Sequence, residues 1–420
     1  MQTVLPSLEQ LPNQSTYSLN EMSYMGDAMV ERLDEFIQLR HDIHKFPELA
    51  FDEHRTSELV AGKLLNWGYK VHRGLGRTGV VATLKRGNST KTVGIRADMD
   101  ALPIQEETKL NWQSERPGVM HGCGHDGHTA TLLAAAKIIA ETVEFDGTLN
   151  LIFQPAEEGG GGALKMMEDG LFDLFPCDSI FAMHNMPGVP VGHFVFRHGS
   201  MMASSDYATI KLLGKGGHGA MPHLAQDPVV AAASIIMALQ TVVARNVDPQ
   251  QTAVVTVGAV HSGQANNVIP ASATLELSIR ALDPKVRQLL EVRIKSLITA
   301  QAQSYGLSVE IDWRAGYTVL VNNALETDLA TGVALSLYGN ERVHLQGPAL
   351  TASEDFSFML EKIPGCYFLI GNTDVDSNGV VCTDSTSSCM VHNPGYDFND
   401  KIISIGSQYW AQLVGEYLKK

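Results

Sequence analysis

Apolar residues recur at helical spacing through Met29, Leu33, Phe36, Ile37 and Ile43, and the run stops before Pro47, so the folded part opens on a helix. A second helical pattern runs from Leu59 to Trp67. The period then shortens to β-rich runs, TGVVATL and TVGIRAD, before an Ala/Leu-rich helix from about His128 to Glu141. The strand LNLIF, a helix closed by Gly170 and the strand SIFAMH, ending on His184, follow in turn. Strands alternating with helices predict an α/β layered domain, a mixed sheet flanked by helices.

From about Ser204 the pattern changes to DYATIKLL, a helix from Asp227, TAVVTVGAV, SATLELSIRAL, a helix from Asp283, and LSVEIDW. Both helices start with Asp followed by Pro, the N-cap and first-turn pairing of a clean helix start. The order βαββαβ is a complete small α+β unit, expected as an inserted domain at 201–317. Residues 1–200 and 318–420 then form one domain, with 1–27 expected as a loosely ordered extension.

Composition narrows the class. With 44% hydrophobic and 18% charged residues the chain is globular rather than disordered. Its formal net charge of −15 is spread along the chain without a basic patch, which argues against nucleic-acid binding. The first twenty residues lack the basic start and apolar run of a secretory signal, and no apolar stretch is expected to reach the ~18 residues that span a membrane. Five cysteines, Cys123, Cys177, Cys366, Cys382 and Cys389, make a poor disulfide framework, so a reducing cytoplasm is expected.

The densest chemical signal is MHGCGHDGH, residues 120–128, with His121, Cys123, His125, Asp126 and His128 just before a helix. Thiolate, imidazole and carboxylate bind borderline divalent metals. The alternative, a polar loop whose histidines cap the helix, suits one such His better than five potential ligands together. A second signal is Gln154-Pro155-Ala156-Glu157-Glu158-Gly159 after LNLIF, where open α/β sheets place ligands. Adjacent carboxylates can divide the labour, one holding metal and one taking a proton from water. An exposed acidic turn at a helix N-terminus would look the same. His184 in AMHNMP and His392 in VHNPGYDF extend the set, whereas His41, His44, His54 and His72 have no nearby carboxylate or thiol at ligand spacing and read as structural. Cys389 and His392 also have zinc-ligand spacing, but only Cys382 is near enough to complete a pair. The run Gly159 to Gly162 lacks the Gly-Lys-Ser/Thr ending of a phosphate loop and is read as backbone freedom beside the metals.

The ordered motifs GIRADMDALPI, MHGCGHDGH, LIFQPAEEGGGGA, AMHNMPGVPVG, LLGKGGHGAMPH, NNVIP, ASEDFSFM and VHNPGYDFND resemble those of the aminoacylase, hippurate hydrolase and auxin-conjugate hydrolase group of dinuclear metallopeptidase-like amidohydrolases. The resemblance covers nearly the whole chain after about residue 28. It implies Cys123, His125, Glu158, His184 and His392 as ligands of two divalent cations, and Glu157 as general base. It also implies a lid that mediates dimerisation, with His218 stabilising an oxyanion and Asn267 and Arg280 holding a substrate carboxylate. Arg280 has a plainer reading as an outward-facing surface charge on a strand whose Leu275, Leu277 and Ile279 face the core. Where the wider superfamily carries His-x-Asp this chain has Asp98-Met99-Asp100, so the Cys123 thiolate is expected to compensate and both aspartates to orient a liganding imidazole.

The expected reaction is hydrolysis of an N-acyl amino acid to a carboxylic acid and a free amino acid, with Mn, Zn, Co or Ni all suited to the ligand set. A dipeptidase or carboxypeptidase built on the same site is the alternative. A metal store or sensor would have no use for a free carboxylate or a lid, and a redox protein built on Cys123 would lack a resolving thiol.

Overall fold

The computed structural model describes residues 27–376, 380–382 and 385–419, so the expectation for the N-terminal extension lies outside the described residues. Helices α1 (Asp27–Lys45) and α2 (His54–Asn66) precede strands β1 (Lys70–Leu75), β2 (Gly79–Arg86) and β3 (Thr92–Asp98). Helix α3 (His125–Thr142), strand β4 (Gly147–Gln154), helices α4 (Gly162–Glu168) and α5 (Leu171–Leu174), and strands β5 (Ser179–Pro190), β6 (Phe194–Val195) and β7 (Gly199–Met202) follow. Next come β8 (Ser204–Leu213), β9 (Gly217–His218), α6 (Pro228–Asn246), β10 (Ala253–Ser262), β11 (Val268–Ile269), β12 (Ser272–Ala281), α7 (Pro284–Ser304) and β13 (Ser308–Ala315). The chain closes through β14 (Leu320–Asn322), α8 (Ala324–Tyr338), β15 (Val343–His344), α9 (Phe356–Leu360), β16 (Gly365–Thr373) and α10 (Lys401–Tyr417).

Eight strands form one mixed sheet in the order β1-β2-β4-β3-β5-β16-β6-β15. Its centre, β4, β3, β5 and β16, is parallel. These central strands are buried on both faces, which explains near-continuous apolar runs such as LNLIF. Alternate residues feed two cores. Leu149, Leu151 and Phe153 pack with α1, α3 and α10 residues on one side, and Ile152 and Ile180 with Met166, Phe356 and Met359 on the other. This is the α/β layered architecture expected, with helices on both faces of a mixed sheet.

Residues Ser204–Ala315 build a second, four-stranded antiparallel sheet in the order β10-β12-β8-β13, with α6 and α7 packed on it over a core of their own. Its main elements follow the βαββαβ order, with a short ribbon, β9 paired with β11, added between them. Asp227 and Asp283 cap α6 and α7 as their sequence signature predicts, accepting from Val229 N and from Lys285 and Val286 N.

Two expectations need correction. Helix α6 is 19 residues long with a mean hydropathy of 1.6, long and apolar enough to cross a membrane by length and composition. Ala231, Ala232, Ile235, Leu239 and Val242 pack into the core of the second sheet, so one face of the helix is buried there and the other is exposed. Two of the four early histidines find carboxylates through tertiary contacts that sequence spacing does not reveal, while joining no group of potential metal ligands: His41 Nε2 lies 2.9 Å from Asp400 and His44 Nδ1 2.8 Å from Asp126.

Candidate metal centre

The parallel strands deliver the chemistry to one edge. Asp98 ends β3, Gln154 ends β4 two residues before Ala156, and His184 lies in β5, which runs six residues past the expected end. Helix α3 starts at His125, three residues earlier than the periodicity indicated, so His125 occupies its first turn. Gly124 adopts φ 95°, and a Cβ there would come within 2.4 Å of Asn185 Nδ2 and 2.5 Å of the Tyr396 hydroxyl. Glycine is therefore required between Cys123 and His125 on two counts. His392 arrives from the C-terminal loop in the left-handed region, φ 65°, its N–H donating to the Gly122 carbonyl at 2.7 Å.

Among the described residues five overlapping triads result, each with donor atoms within 4.8 Å of one another: Cys123–His125–His184, Cys123–Glu158–His392 and His125–Glu157–Glu158, and beside them Asp98–His125–His128 and Glu157–Glu354–Asp355. All five residues expected as ligands are thus brought together with Glu157. The imidazoles are held so that one nitrogen stays available. His125 Nδ1 donates to Asp100 at 3.1 Å, leaving its buried Nε2 without a hydrogen-bond partner. His184 Nδ1 donates to the Asn185 carbonyl at 2.7 Å, leaving Nε2 3.4 Å from Cys123 Sγ. An imidazole fixed through one ring nitrogen, with the other either unpartnered or turned to a neighbouring thiol, is poised for metal.

The electrostatics agree. Burial opposes a positive charge on His125, yet Asp98 and Asp100 outweigh it and raise its pKa to about 10, so a cation binding at Nε2 displaces a proton there and takes over the carboxylates' attraction. Burial, with the Glu158, Glu157 and Asp98 carboxylates, pushes the Cys123 thiol well above its usual range. Such a thiol ionises when a cation stands beside it. Burial also lifts the Glu157 carboxyl well above the ordinary range, helped by Glu354, Glu158, Asp355 and Asp100. Glu158 moves the other way, burial being outweighed by its bond to His392, 3.0 Å away, and by the charge of His125. Two neighbouring carboxylates therefore have divergent proton affinities, the arrangement that separates a base from a ligand.

Residues 94–416 match peptidase family M20/M25/M40. The chain belongs to this family. Hippurate hydrolase of Campylobacter jejuni is 46% identical over 386 residues, spanning 92% of this chain and 97% of that protein. The IAA-amino acid hydrolase ILR1-like 2 of Arabidopsis thaliana is 38% identical, spanning 93% of this chain and 87% of that one. Among solved structures, the YXEP protein of Bacillus subtilis, described as a dinuclear metal-binding peptidase of the M20 family, superposes with a TM-score of 0.78 at 32% identity, covering 94% of this chain and 99% of that one. This M20-family chain is accordingly a metal-binding hydrolase.

In this M20-family site the two aspartates divide their work. Asp100 holds His125 with one oxygen and accepts the Glu158 N–H at 2.9 Å with the other. Asp98 chiefly holds His128, 2.6 Å from its Nδ1, and stands 3.7 Å from His125 Nε2. His128 is not brought into the ligand triads with Cys123, because its Nε2 accepts the Asn185 N–H at 3.0 Å. Asp126 turns away to pair with His44 and Arg40. Among the described residues Cys382 and Cys389 join no group of three potential ligands.

His218, Asn267 and Arg280 are not gathered with the ligands. His218 and Asn267 are neighbours on the exposed β9/β11 ribbon, where the Gly219 N–H meets the Asn267 carbonyl at 2.8 Å. The Ala220 N–H reaches His218 Nδ1 at 3.1 Å, so in the neutral ring Nε2 carries the proton. Arg280 is half-buried, its guanidinium 3.2 Å from the Tyr207 hydroxyl of its own sheet and 2.9 Å from Ser353 Oγ in the loop before α9.

The sequence reading assigned no role to the residues that brace the pocket. Buried Arg96 pairs with Asp98 at 2.6 Å, Glu354 at 2.8 Å and Asp355 at 3.1 Å. Glu53 accepts the Ala156 N–H at 2.9 Å, and Asp355 the Ala163 N–H at 2.9 Å. An arginine inside the apolar strand TVGIRAD, and the acidic pair in ASEDFSFM, were the available signals. Glu53 left none.

Proposed function

We propose that this hydrolase holds two divalent cations per chain on Cys123, His125, Glu158, His184 and His392 and cleaves the amide bond of N-acyl amino acids, releasing a carboxylic acid and a free amino acid. The observation that carries the reading is the overlap of two donor triads at Cys123 beside a carboxylate, Glu157, with a raised proton affinity. Mn or Zn suits this mixed sulfur, nitrogen and oxygen set best, with Co and Ni acceptable. When bound, such cations supply Lewis acidity, which lowers the pKa of water and polarises a carbonyl oxygen. Glu157 takes the proton of the attacking water and returns it to the departing nitrogen. Its raised proton affinity suits it to hold that proton between the two steps.

Residues 201–317 act as a lid and dimerisation domain. Nε2–H of His218 stabilises the developing oxyanion, and Asn267 and Arg280 hold the substrate carboxylate, Arg through its planar fork. Two features support a homodimer through this domain: the outward face of α6 exposes Val229, Val230 and Met237, the last at 71%, and β10 is an edge strand. His218, exposed in its own chain, then reaches the partner's site. A cytoplasmic location belongs to the same reading.

The test is metal-reconstituted protein assayed on acetyl, benzoyl and indole-acetyl amino acids beside a dipeptide. Turnover of the N-acyl substrates, abolished by a chelator and restored by metal, is expected. Preference for the dipeptide would replace the substrate assignment with a peptidase, and full activity in metal-free protein would end the metal reading.

A further inference from the structure

The turn that carries Glu157 is held from an unexpected direction. Ala156 sits in the left-handed region at φ 53°, a conformation that costs a non-glycine residue about 1–3 kcal/mol and persists only when the surroundings enforce it. Three of the braces come from the main domain: Glu53 on Ala156 N, Asp100 on Glu158 N, and Asp355 on Ala163 N. The fourth does not. The Tyr317 hydroxyl donates to the carbonyl of Glu157 itself and accepts the Gly161 N–H at 3.3 Å, closing the turn from both sides.

Tyr317 lies in the crossover by which the chain leaves β13 and returns to β14. Its backbone is tied to the start of β8, just past the outgoing crossover, its N–H 3.2 Å from Ser205 Oγ and its carbonyl accepting the Ser205 N–H at 3.0 Å. One residue further on, Asp206 accepts the Gly316 N–H at 3.1 Å and pairs with Arg287 of α7 at 2.6 Å. The ring itself stands edge-on to Phe358, with centroids 5.9 Å apart, so the phenol is aimed by packing as well as by its chain.

We propose that Tyr317 is a positioning residue for Glu157, its phenol clamping the base-carrying turn to the paired crossovers of the second sheet, so that the alignment of the base depends on the arrangement of those crossovers. The proposal rests on Glu157 being the general base. It concerns alignment alone: the phenol meets the main-chain carbonyl of Glu157 and no donor atom of the ligand triads. Removing the hydroxyl leaves the Glu157 carbonyl with the local Gly159 N–H at 2.7 Å and takes the phenol from the Gly161 amide, so the turn loses its tie to the second sheet; a misplacement of the base by about 1 Å costs on the order of 100-fold in rate.

The experiment compares Tyr317→Phe, Tyr317→Leu and Glu157→Gln with the wild type in the metal-loaded enzyme. Measured are kcat and KM on an N-acyl amino acid, metal per chain, and hydrogen–deuterium exchange of the peptide covering 155–163. The Phe variant is expected to lose roughly 10- to 100-fold in kcat with KM and metal content unchanged, and its 155–163 peptide to exchange faster. Wild-type kcat in Tyr317→Phe beside an inactive Glu157→Gln overturns the clamp while leaving the base in place. A slow Leu variant beside a normal Phe variant overturns it too, since ring packing would then be all that matters. Loss of metal, or of kcat only in proportion to folded protein, assigns Tyr317 to stability and also overturns it. An active Glu157→Gln variant removes the base assignment first and the clamp with it.

Discussion

The ligand pocket and the β9/β11 ribbon of the second sheet are built on opposite plans. In the pocket most functional side chains are buried or braced by a named partner: His125 by Asp100, His184 by the Asn185 carbonyl, the Glu157 turn by Glu53, Asp100 and Tyr317; His392 is the exception, its side chain exposed and 3.0 Å from Glu158. On the ribbon His218 and Asn267 lie exposed, supported by a two-residue ladder and by main-chain contacts. A preorganised site performs chemistry without rearrangement, whereas exposed groups gain a role only when something closes on them. The difference separates what one chain completes alone from what needs a partner or a closure.

The sharpest way to break this contrast is within the pocket. Glu157→Gln should keep its metal and fold while losing ~10²–10⁴-fold in turnover, and Glu158→Gln should lose metal instead. Turnover and bound metal, measured together on both variants, check this, and the reverse pattern would exchange the two roles. A smaller effect is expected one layer out: Asp100→Asn should weaken metal binding by roughly 10- to 100-fold in a chelator competition, because it supports both a liganding imidazole and the backbone of a liganding carboxylate. Unchanged affinity would reduce Asp100 to packing.

For the ribbon the test is complementation. Glu157→Gln and His218→Ala should each be nearly inactive alone. Co-expressed, half of the dimers are mixed and half of their sites carry neither defect, so activity should recover to roughly a quarter of wild type. A mixture as inactive as its parts would place His218 in its own chain's site.

The smallest effect tests what bracing costs. Burial, with Asp100 nearby, outweighs the bond from Thr78 and raises the Glu53 carboxyl from 4.5 to about 7. Because the folded value lies above the unfolded one, the stability Glu53 contributes is full below about pH 4.5 and is lost as pH rises through about 7. Glu53→Gln should therefore gain stability relative to wild type between pH 5 and 8, by on the order of 1 kcal/mol. Denaturant melts across that range would show it, and parallel curves would refute it.

What was legible in the sequence follows the same division. The layered α/β domain was readable because strands alternate with helices, and the motif at 120–128 because nine residues held five metal-compatible side chains, of which Cys123 and His125 are expected ligands; the rest of the ligand set was assigned through the family resemblance. Asp227-Pro228 and Asp283-Pro284 marked helix starts through local chemistry alone. Glu53 and Tyr317 were invisible, since each acts across more than 100 positions on the main chain of a distant turn. His128 was misleading for a related reason: its spacing suits a ligand, but the Asn185 N–H that occupies its Nε2 comes from β5, 57 positions along the chain. Both aspartates were expected to orient a liganding imidazole; Asp100 meets His125 and also supports Glu158, whereas Asp98 holds His128 instead.

Strands β7 and β14 pair directly, Met202 with Leu320 and Gly199 with Asn322. In topological terms everything between them is the loop of a β-hairpin, one that happens to contain a folded sheet and two helices. Loop-closure entropy grows only logarithmically, about 0.6 kcal/mol per doubling of length, so the hairpin is barely sensitive to how much chain it encloses. The unit between β7 and β14 can therefore be enlarged, trimmed or exchanged with little strain on the sheet that carries the metal ligands, provided the two crossovers still meet.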